Sequence, residues 1–208
     1  MVQQRRRPSG FVEPCQPSKV ARPPTGRLWV HEIKHDGYRL MLRRDGLRVR
    51  CFTRNGHDWA NRFPGIAYAA SKILASSFLI DGKAVIARDD GTPDFHALRS
   101  QRRGREAVLY VFDLIEHDGD DLRDLPLIER KRRLKKLLGR AKRRSIQFVE
   151  HLTGDGPTVF RHVCAMGLEG IVSKRTDAPY RSGPSKVWVK AKNPASDAVR
   201  REREETWR

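Results

Sequence analysis

The hairpin predicted at residues 38–53 is the strongest constraint on the fold. Two strand-like runs, 38–44 and 47–53, flank Asp45-Gly46, a dipeptide that favours the tight turn between two antiparallel strands. Antiparallel pairing of neighbouring strands excludes a fold built only from helices. It also disfavours a purely parallel sheet, in which a crossover segment has to separate the strands.

Hydrophobic spacing elsewhere in the chain predicts helices as well, so the predicted class is α+β. The predicted helices lie at about 63–74, with Leu74 in the buried stripe, and at 94–98, 127–138 and 157–166, before Gly167. Further strands are predicted at 78–88, 107–114, 146–150 and 186–192. The basic faces of the helix at 127–138, continuing through Arg140, Lys142, Arg143 and Arg144, indicate either a solvated surface or a contact with a DNA backbone.

The segment 32–39 combines residue types that suit nucleotide chemistry. It reads Glu-Ile-Lys-His-Asp-Gly-Tyr-Arg, and an extended conformation would place Lys34 and Asp36 on one face. Gly37 permits a sharp turn or a close approach of the backbone to a ligand, and Arg39 can hold a phosphate or a ribose hydroxyl. A lysine nucleophile beside a carboxylate suits attack on a nucleotide phosphorus. A surface strand of mixed charge is the alternative that this segment alone leaves open.

Composition narrows the partners and the compartment. The chain has 208 residues, a formal net charge of +18 and a pI near 10.6, which favours polyanionic partners. Its length suffices for one core, or for two small lobes around a cleft. The three widely spaced cysteines are expected to be reduced thiols in the cytoplasm. No apolar run long enough for a membrane span and no signal peptide is visible, so we expect no membrane partner.

The segment around Lys34 resembles the nucleotidyl-transfer motif Lys-x-Asp-Gly-x-Arg of ATP-dependent DNA ligases and mRNA capping enzymes. Five further blocks follow in the order found in the adenylation domain of bacterial end-joining-type DNA ligases: Thr53-Arg54-Asn55-Gly56, Asp81-Gly82, Tyr110-Val111-Phe112-Asp113, Glu169-Gly170-Ile171-Val172-Ser173-Lys174 and Trp188-Val189-Lys190-Ala191-Lys192. Capping enzymes match the block that contains Arg54 and the closing block at 188–192 less well. The resemblance implies the ligase/capping nucleotidyltransferase fold, with antiparallel sheets, flanking helices and a central nucleotide cleft.

The resemblance also implies a reaction and its residues. ATP would transfer AMP to the lysine, AMP would pass to a DNA 5′-phosphate, and a 3′-hydroxyl would displace it, with ATP and Mg²⁺ as cofactors and nicked or broken DNA as substrate. The implied roles are catalysis for Lys34 and Asp36, nucleotide binding for Glu32, Arg39, Phe112, Lys190 and Lys192, metal binding for Glu169 and contact with the DNA 5′-phosphate for Arg54.

Three of these assignments have structural alternatives. Phe112 has apolar neighbours on both sides and is equally typical of a buried core position. Lys190 and Lys192 also fit a lysine-rich edge strand, since lysines on sheet edges oppose aggregation. Arg54 also fits an ordinary turn arginine, but the block in which it stands favours phosphate binding.

The chain departs from the family pattern in two places. The family has Asp-Gly-Glu where this chain has Asp81-Gly82-Lys83. Lys83 either impairs the metal site or serves as a built-in cation, and sequence reasoning favours impairment. The second departure is length: we expect a basic, Pro-rich and extended arm (1–26), an adenylation domain (27–194) and a charged tail (195–208) without an oligonucleotide-binding barrel, whose function a separate protein would supply.

The leading hypothesis is therefore ATP-dependent DNA ligase-type adenylation in DNA repair or recombination. One alternative is a lapsed ligase domain that binds nucleotide or DNA without turnover, which Lys83 favours and the intact lysine set opposes. Another is nucleotidyl transfer to RNA, which the ligase-like flanking blocks disfavour. DNA binding is expected to be weak, insensitive to sequence and strongly salt-dependent.

Overall fold

The computed structural model describes residues 8, 10–89, 91–139 and 144–206, and ten strands in this part of the chain form two sheets. Their bounds are β1 (Cys15–Lys19), β2 (Trp29–Ile33), β3 (Tyr38–Asp45), β4 (Arg48–Thr53), β5 (Ser77–Val85), β6 (Val108–His117), β7 (Asp120–Asp121), β8 (Ile146–Phe148), β9 (Gly170–Arg175) and β10 (Gly183–Lys192). The smaller sheet has the order β1-β10-β9-β2, and the larger has the order β4-β3-β5-β6-β7, with β8 also paired to β6.

Five α-helices and one 3₁₀ helix flank the two sheets in the described residues. Their bounds are α1 (Pro64–Ser71), α2 (Phe95–Arg99), the 3₁₀ helix (Gln101–Glu106), α3 (Leu127–Leu138), α4 (Gly156–Ala165) and α5 (Asp197–Thr206). Asp94 and Asp155 cap the starts of α2 and α4, where their carboxylates accept hydrogen bonds from backbone N–H groups. Gly167 follows α4 with a φ of 72°, a left-handed conformation that favours glycine at a helix end.

The predicted hairpin at 38–53 is confirmed. β3 and β4 pair antiparallel from Leu40 opposite Thr53 to Asp45 opposite Arg48, and Gly46 in the turn has a φ of 55°. Most strand pairs are antiparallel, while β1 pairs parallel with β10 and β8 parallel with β6. The predicted α+β class with antiparallel sheets and flanking helices is therefore confirmed. β1 lies within the arm (1–26) that is predicted to be extended, and it forms one edge of the smaller sheet.

The larger sheet is buried on both faces, and this places a core next to the cleft. On one face, Leu40, Leu42 and Ile80 pack with α1 and α3 in the main hydrophobic cluster. On the other face, Met41 and Leu79 pack against side chains of the smaller sheet, including the buried Trp188. Burial of apolar side chains between the sheets holds the two walls of the cleft together.

Several predictions from local pattern are wrong in detail. α1 ends at Ser71, and Leu74, predicted in its buried stripe, is 94% exposed beyond the helix. β10 lies between β1 and β9, so the edge-strand alternative for its lysines is wrong.

α3 has the predicted bounds, but Arg130 and Lys131 on its basic faces are buried instead of solvated. In the continuation of that basic run, Arg140, Lys142 and Arg143 lie outside the described residues, and Arg144 is exposed. None of the described helices is long and apolar enough to cross a membrane.

Candidate active site

A cleft between the two sheets collects most of the residues predicted to bind the nucleotide. Six of the predicted site residues line it: Glu32, Lys34, Arg39, Arg54, Phe112 and Lys190. The other three predicted site residues lie outside its lining. Glu169 contacts Lys34 from the side, whereas Asp36 and Lys192 contact α5. The chemical roles of all nine residues stay predictions.

Lys34 lies immediately after β2, at the point where the chain passes from one sheet to the other. Its backbone N–H donates to the carbonyl oxygen of Gly170 at 2.9 Å, next to the start of β9. Its ammonium forms an ion pair with the carboxylate of Glu169. Residues 34–36 form a connection and not a strand, so the predicted extended segment ends at Ile33. The candidate nucleophile is thus fixed at the rim of the cleft by both its backbone and its side chain.

Gly37 is required by packing against the neighbouring strand. A Cβ atom at this position would lie 2.1 Å from the carbonyl oxygen of Ala84 in β5, far inside contact distance. The close approach predicted for Gly37 is therefore to the backbone of β5. This contact fixes the connection that carries Lys34 against the larger sheet.

Arg39 is held in the wall of the cleft by a buried carboxylate. Its Nε and Nη2 atoms donate to the two oxygens of Asp81 at 2.5 and 2.6 Å, and its Nη2 also donates to the carbonyl of Cys15 at 3.2 Å. The hydroxyl of Tyr180 donates to Asp81 at 2.8 Å and accepts from the N–H of Cys15 at 2.9 Å. Burial alone would lower the pKa of Arg39, but Asp81 raises it above its ordinary value. Arg39 therefore remains a fixed cation in the cleft.

The inner end of the cleft combines aromatic rings with buried charge. The ammonium of Lys174 lies 4.0 Å from the ring centre of Phe112 and 4.1 Å from that of Trp188. It also forms an ion pair with Glu32, whose second oxygen accepts from the ammonium of Lys131 at 2.6 Å. Burial would raise the pKa of Glu32, but the two ammonium groups hold it below its usual value. Glu32 thus lines the cleft as an ionised group already engaged by two lysines.

The outer end of the cleft is cationic. Arg54, exposed just after β4, donates from Nη2 to the side-chain oxygen of Gln16 at 2.9 Å. Lys190, near the end of β10, is partly buried, and burial together with the ammonium groups of Lys192 and Lys34 lowers its pKa. These charges suit an anion such as a triphosphate.

Helix α5 makes two ion pairs with residues predicted to act on the nucleotide. Nη2 of Arg201 donates to the carboxylate of Asp36 at 2.5 Å, and Glu202 forms an ion pair with Lys192. The guanidinium of Arg201 also lies 4.1 Å from the ring centre of Phe95 in α2. The charged tail therefore docks beside the candidate nucleophile, a contact that sequence reasoning did not predict.

The residues around Glu169 fit a magnesium ion bound mainly through nucleotide phosphates. One oxygen of Glu169 pairs with Lys34, and the other, Oε2, is buried without a hydrogen-bond partner. No group of three or more His, Cys, Asp or Glu side chains able to hold a metal occurs within the described residues. Since Mg²⁺ is often bound by one or two carboxylates together with substrate phosphates, a single free carboxylate oxygen is sufficient here.

Sequence reasoning missed the supporting charges of the cleft. Lys131 and Lys174 neutralise Glu32, and Tyr180 together with Asp81 fixes Arg39. Lys174 and Asp81 lie in sequence blocks that carry the family resemblance, so these blocks could have identified both residues as part of the cleft. Lys131 is one of many basic residues in α3, and nothing in the local pattern distinguishes it from its exposed neighbours.

Comparison with known proteins identifies the family. The model of the ATP dependent DNA ligase domain matches residues 12–192. The multifunctional non-homologous end joining protein LigD of Pseudomonas aeruginosa is 39% identical over 185 residues, which cover 88% of this chain and 22% of LigD. The SPbeta prophage-derived DNA ligase-like protein LigB of Bacillus subtilis is 29% identical over 188 residues, which cover 88% of this chain and 68% of LigB.

Solved structures agree with this assignment. Mycobacterial DNA ligase D complexed with ATP and MES has a TM-score of 0.73 and 30% identity, covering 86% of this chain and 59% of that one. The ligase domain of M. tuberculosis LigD has a TM-score of 0.75 and 31% identity, covering 86% and 60%. The chain spans 22% of the P. aeruginosa LigD and 60% or less of these two solved chains. The chain belongs to the ATP-dependent DNA ligase family, and its fold is that of the ligase adenylation domain.

Proposed function

We propose that the chain carries out the adenylation step of a DNA ligase, with Lys34 as the residue that accepts AMP from ATP. The observation that carries this proposal is the ion pair of Lys34 with Glu169 at the rim of a cleft lined by cations and aromatic rings. A nucleophile at the cationic end of the cleft lies beside the triphosphate when the base occupies the aromatic end near Phe112 and Trp188.

The proposed reaction proceeds in line at the α-phosphorus. The Lys34 ammonium first loses a proton to solvent, and the neutral amine forms a bond to phosphorus as the bond to pyrophosphate breaks. Loss of a second proton leaves AMP joined to the lysine nitrogen. Lys190 and Arg39 neutralise charge on the phosphate oxygens during this transfer. Mg²⁺ bound at the free oxygen of Glu169 would supply further neutralisation of the same charge.

We propose broken DNA in end joining as the downstream substrate. This extension is supported by the name of the P. aeruginosa relative, LigD, a multifunctional non-homologous end joining protein. Arg54 is exposed at the mouth of the cleft, where a DNA 5′-phosphate can approach the nucleotide. AMP would pass to that phosphate, and a 3′-hydroxyl would then displace it.

Covalent labelling of the protein by ATP that is stable in alkali and labile in acid, as expected for a bond between phosphorus and nitrogen, tests the adenylation step. Incubation with α-labelled ATP and Mg²⁺ is expected to label the wild type, and peptide mapping is expected to place the added mass at Lys34. Lys34→Arg should abolish the label because its guanidinium is not a nucleophile at neutral pH. Lys186→Ala, which removes an exposed lysine from β10 outside the cleft, should label normally. Undiminished labelling of Lys34→Arg would overturn the proposal.

The second candidate is a protein that binds nucleotide without turnover. The engagement of Asp36 and Lys192 by α5 favours it, because both residues are predicted to act on the nucleotide. Tight ATP binding by wild-type protein that never becomes labelled, at any Mg²⁺ concentration, would favour this candidate over the first.

A further inference from the structure

The cations that line the cleft differ in whether a carboxylate neutralises them. Three are ion-paired, namely Lys34 with Glu169, Arg39 with Asp81 and Lys174 with Glu32. Lys83 and Lys190 line the same cleft, and within the described residues their ammonium groups have no hydrogen bond or ion pair. Lys190 belongs to the predicted nucleotide-binding set, whereas Lys83 does not.

Lys83 lies in β5 at the centre of the larger sheet. In the backbone register it stands opposite Arg39 of β3 and Tyr110 of β6. Asp81, two residues earlier in β5, is already engaged by Arg39 and Tyr180. Lys83 is therefore fixed by strand geometry in the wall of the cleft, and the nearest carboxylate of its own strand is unavailable to it.

The other carboxylates near Lys83 are engaged as well. Glu169 is paired with Lys34 through one oxygen, and Asp36 is paired with Arg201 of α5, and neither carboxylate forms an ion pair or a hydrogen bond with Lys83 in the described residues. Burial, followed by the neighbouring ammonium of Lys34, lowers the pKa of Lys83 to about 7. A partly buried ammonium without a counter-charge is unfavourable, and an anion that enters the cleft compensates this cost.

We infer that Lys83 is an additional nucleotide ligand, whose ammonium donates to a phosphate oxygen of ATP beside Lys34. The inference rests on the proposed function only in taking ATP as the occupant of the cleft. The residue that replaces the family's glutamate thus adds an ammonium donor to the phosphate site, and a bound phosphate favours the charged form of that donor. ATP binding without a divalent metal ion is the property in which this charge matters most, because no Mg²⁺ then shares the neutralisation.

Binding of ATP and adenosine in the presence of EDTA tests the inference. Calorimetric titration should show that Lys83→Met weakens ATP binding at least about fivefold, the loss expected for a charge-assisted hydrogen bond in a partly buried site. Adenosine lacks phosphates, so the affinity of Lys83→Met for adenosine should stay within about twofold of the wild-type value. Lys83→Arg keeps the charge and should retain most of the ATP affinity.

Controls separate a lost ligand from a damaged fold. Lys186→Met, at an exposed position of β10, should leave both affinities unchanged, and thermal unfolding of each variant checks that the fold is intact. Unchanged ATP affinity in a folded Lys83→Met protein would overturn the inference, and so would an equal loss for ATP and adenosine. These titrations need no turnover. A wild type that binds ATP but is never labelled would therefore refute the proposed function, whereas the measured affinities would still decide whether Lys83 contacts ATP.

Discussion

At the residue scale, His35 couples the site to pH. It follows Lys34 directly, and its ring stacks on Tyr110 with centroids 4.3 Å apart and planes 17° apart. Burial, and then the nearby ammonium groups of Lys83 and Lys34, lower its pKa to about 4. The folded protein therefore holds His35 neutral at pH 7. The unfolded chain, with a histidine pKa near 6.5, takes up the proton first as the pH falls.

The sign of this linkage predicts acid destabilisation. The free energy of unfolding should decrease from about pH 6.5 to about pH 4, with about 3 kcal/mol of the loss due to His35. His35→Phe keeps a ring on Tyr110 and removes the proton site. Chemical unfolding at several pH values should therefore give the variant a flatter profile than the wild type. Parallel profiles would show that His35 is not the group responsible.

The magnesium requirement provides a second prediction at the residue scale. If the ammonium of Lys83 neutralises phosphate charge, the wild type should self-adenylate at lower Mg²⁺ than Lys83→Glu, which reverses that charge. At limiting Mg²⁺ we expect the wild type to be at least about fivefold faster, roughly 1 kcal/mol of barrier. Adenylation rates of both proteins across a Mg²⁺ titration measure this difference. A faster Lys83→Glu at every concentration would support the interpretation from sequence, in which Lys83 merely impairs the metal site.

At the element scale, α5 pairs with a lysine that is predicted to bind the nucleotide. Glu202 is paired with Lys192, so the predicted binding of triphosphate at Lys192 would have to break this contact. Glu202 is 59% exposed, and exposed ion pairs contribute about 0.2–1 kcal/mol. Glu202→Gln should therefore strengthen ATP binding by about two- to fivefold.

The matched control for this prediction lies on the same helix. Glu204 is exposed and carries the same charge, and no contact with Lys192 is seen for it. Glu204→Gln changes the net charge of α5 equally, so it should leave the ATP affinity nearly unchanged. An equal gain from both variants would attribute the effect to general electrostatics, and the specific pairing with Lys192 would be refuted.

Local signals predicted the elements better than their tertiary contacts. The Asp45-Gly46 turn and the leucine spacing of α3 are determined by neighbouring residues, and both predictions are confirmed. The burial of Lys131 depends on Glu32, which lies 99 positions away in the chain, so no local pattern reports it. The pairing of Asp36 with Arg201 spans 165 positions and was missed for the same reason. The family blocks predicted six of the residues that line the cleft, but not which carboxylates neutralise its cations.

At the scale of the whole molecule, a net charge of +18 predicts how the chain meets DNA. Binding that neutralises phosphates releases counterions, and each contact adds about 0.9 to the slope of log K against log salt. The slope should therefore be steeper than about −3 and equal for duplexes of the same length and different sequence, since phosphate contacts carry no base information. Arg54→Ala should reduce the slope by about one if Arg54 contacts a phosphate. Fluorescence titrations at several salt concentrations measure these slopes. An affinity that barely changes with salt, or that depends on sequence, would show that contacts other than phosphate neutralisation dominate.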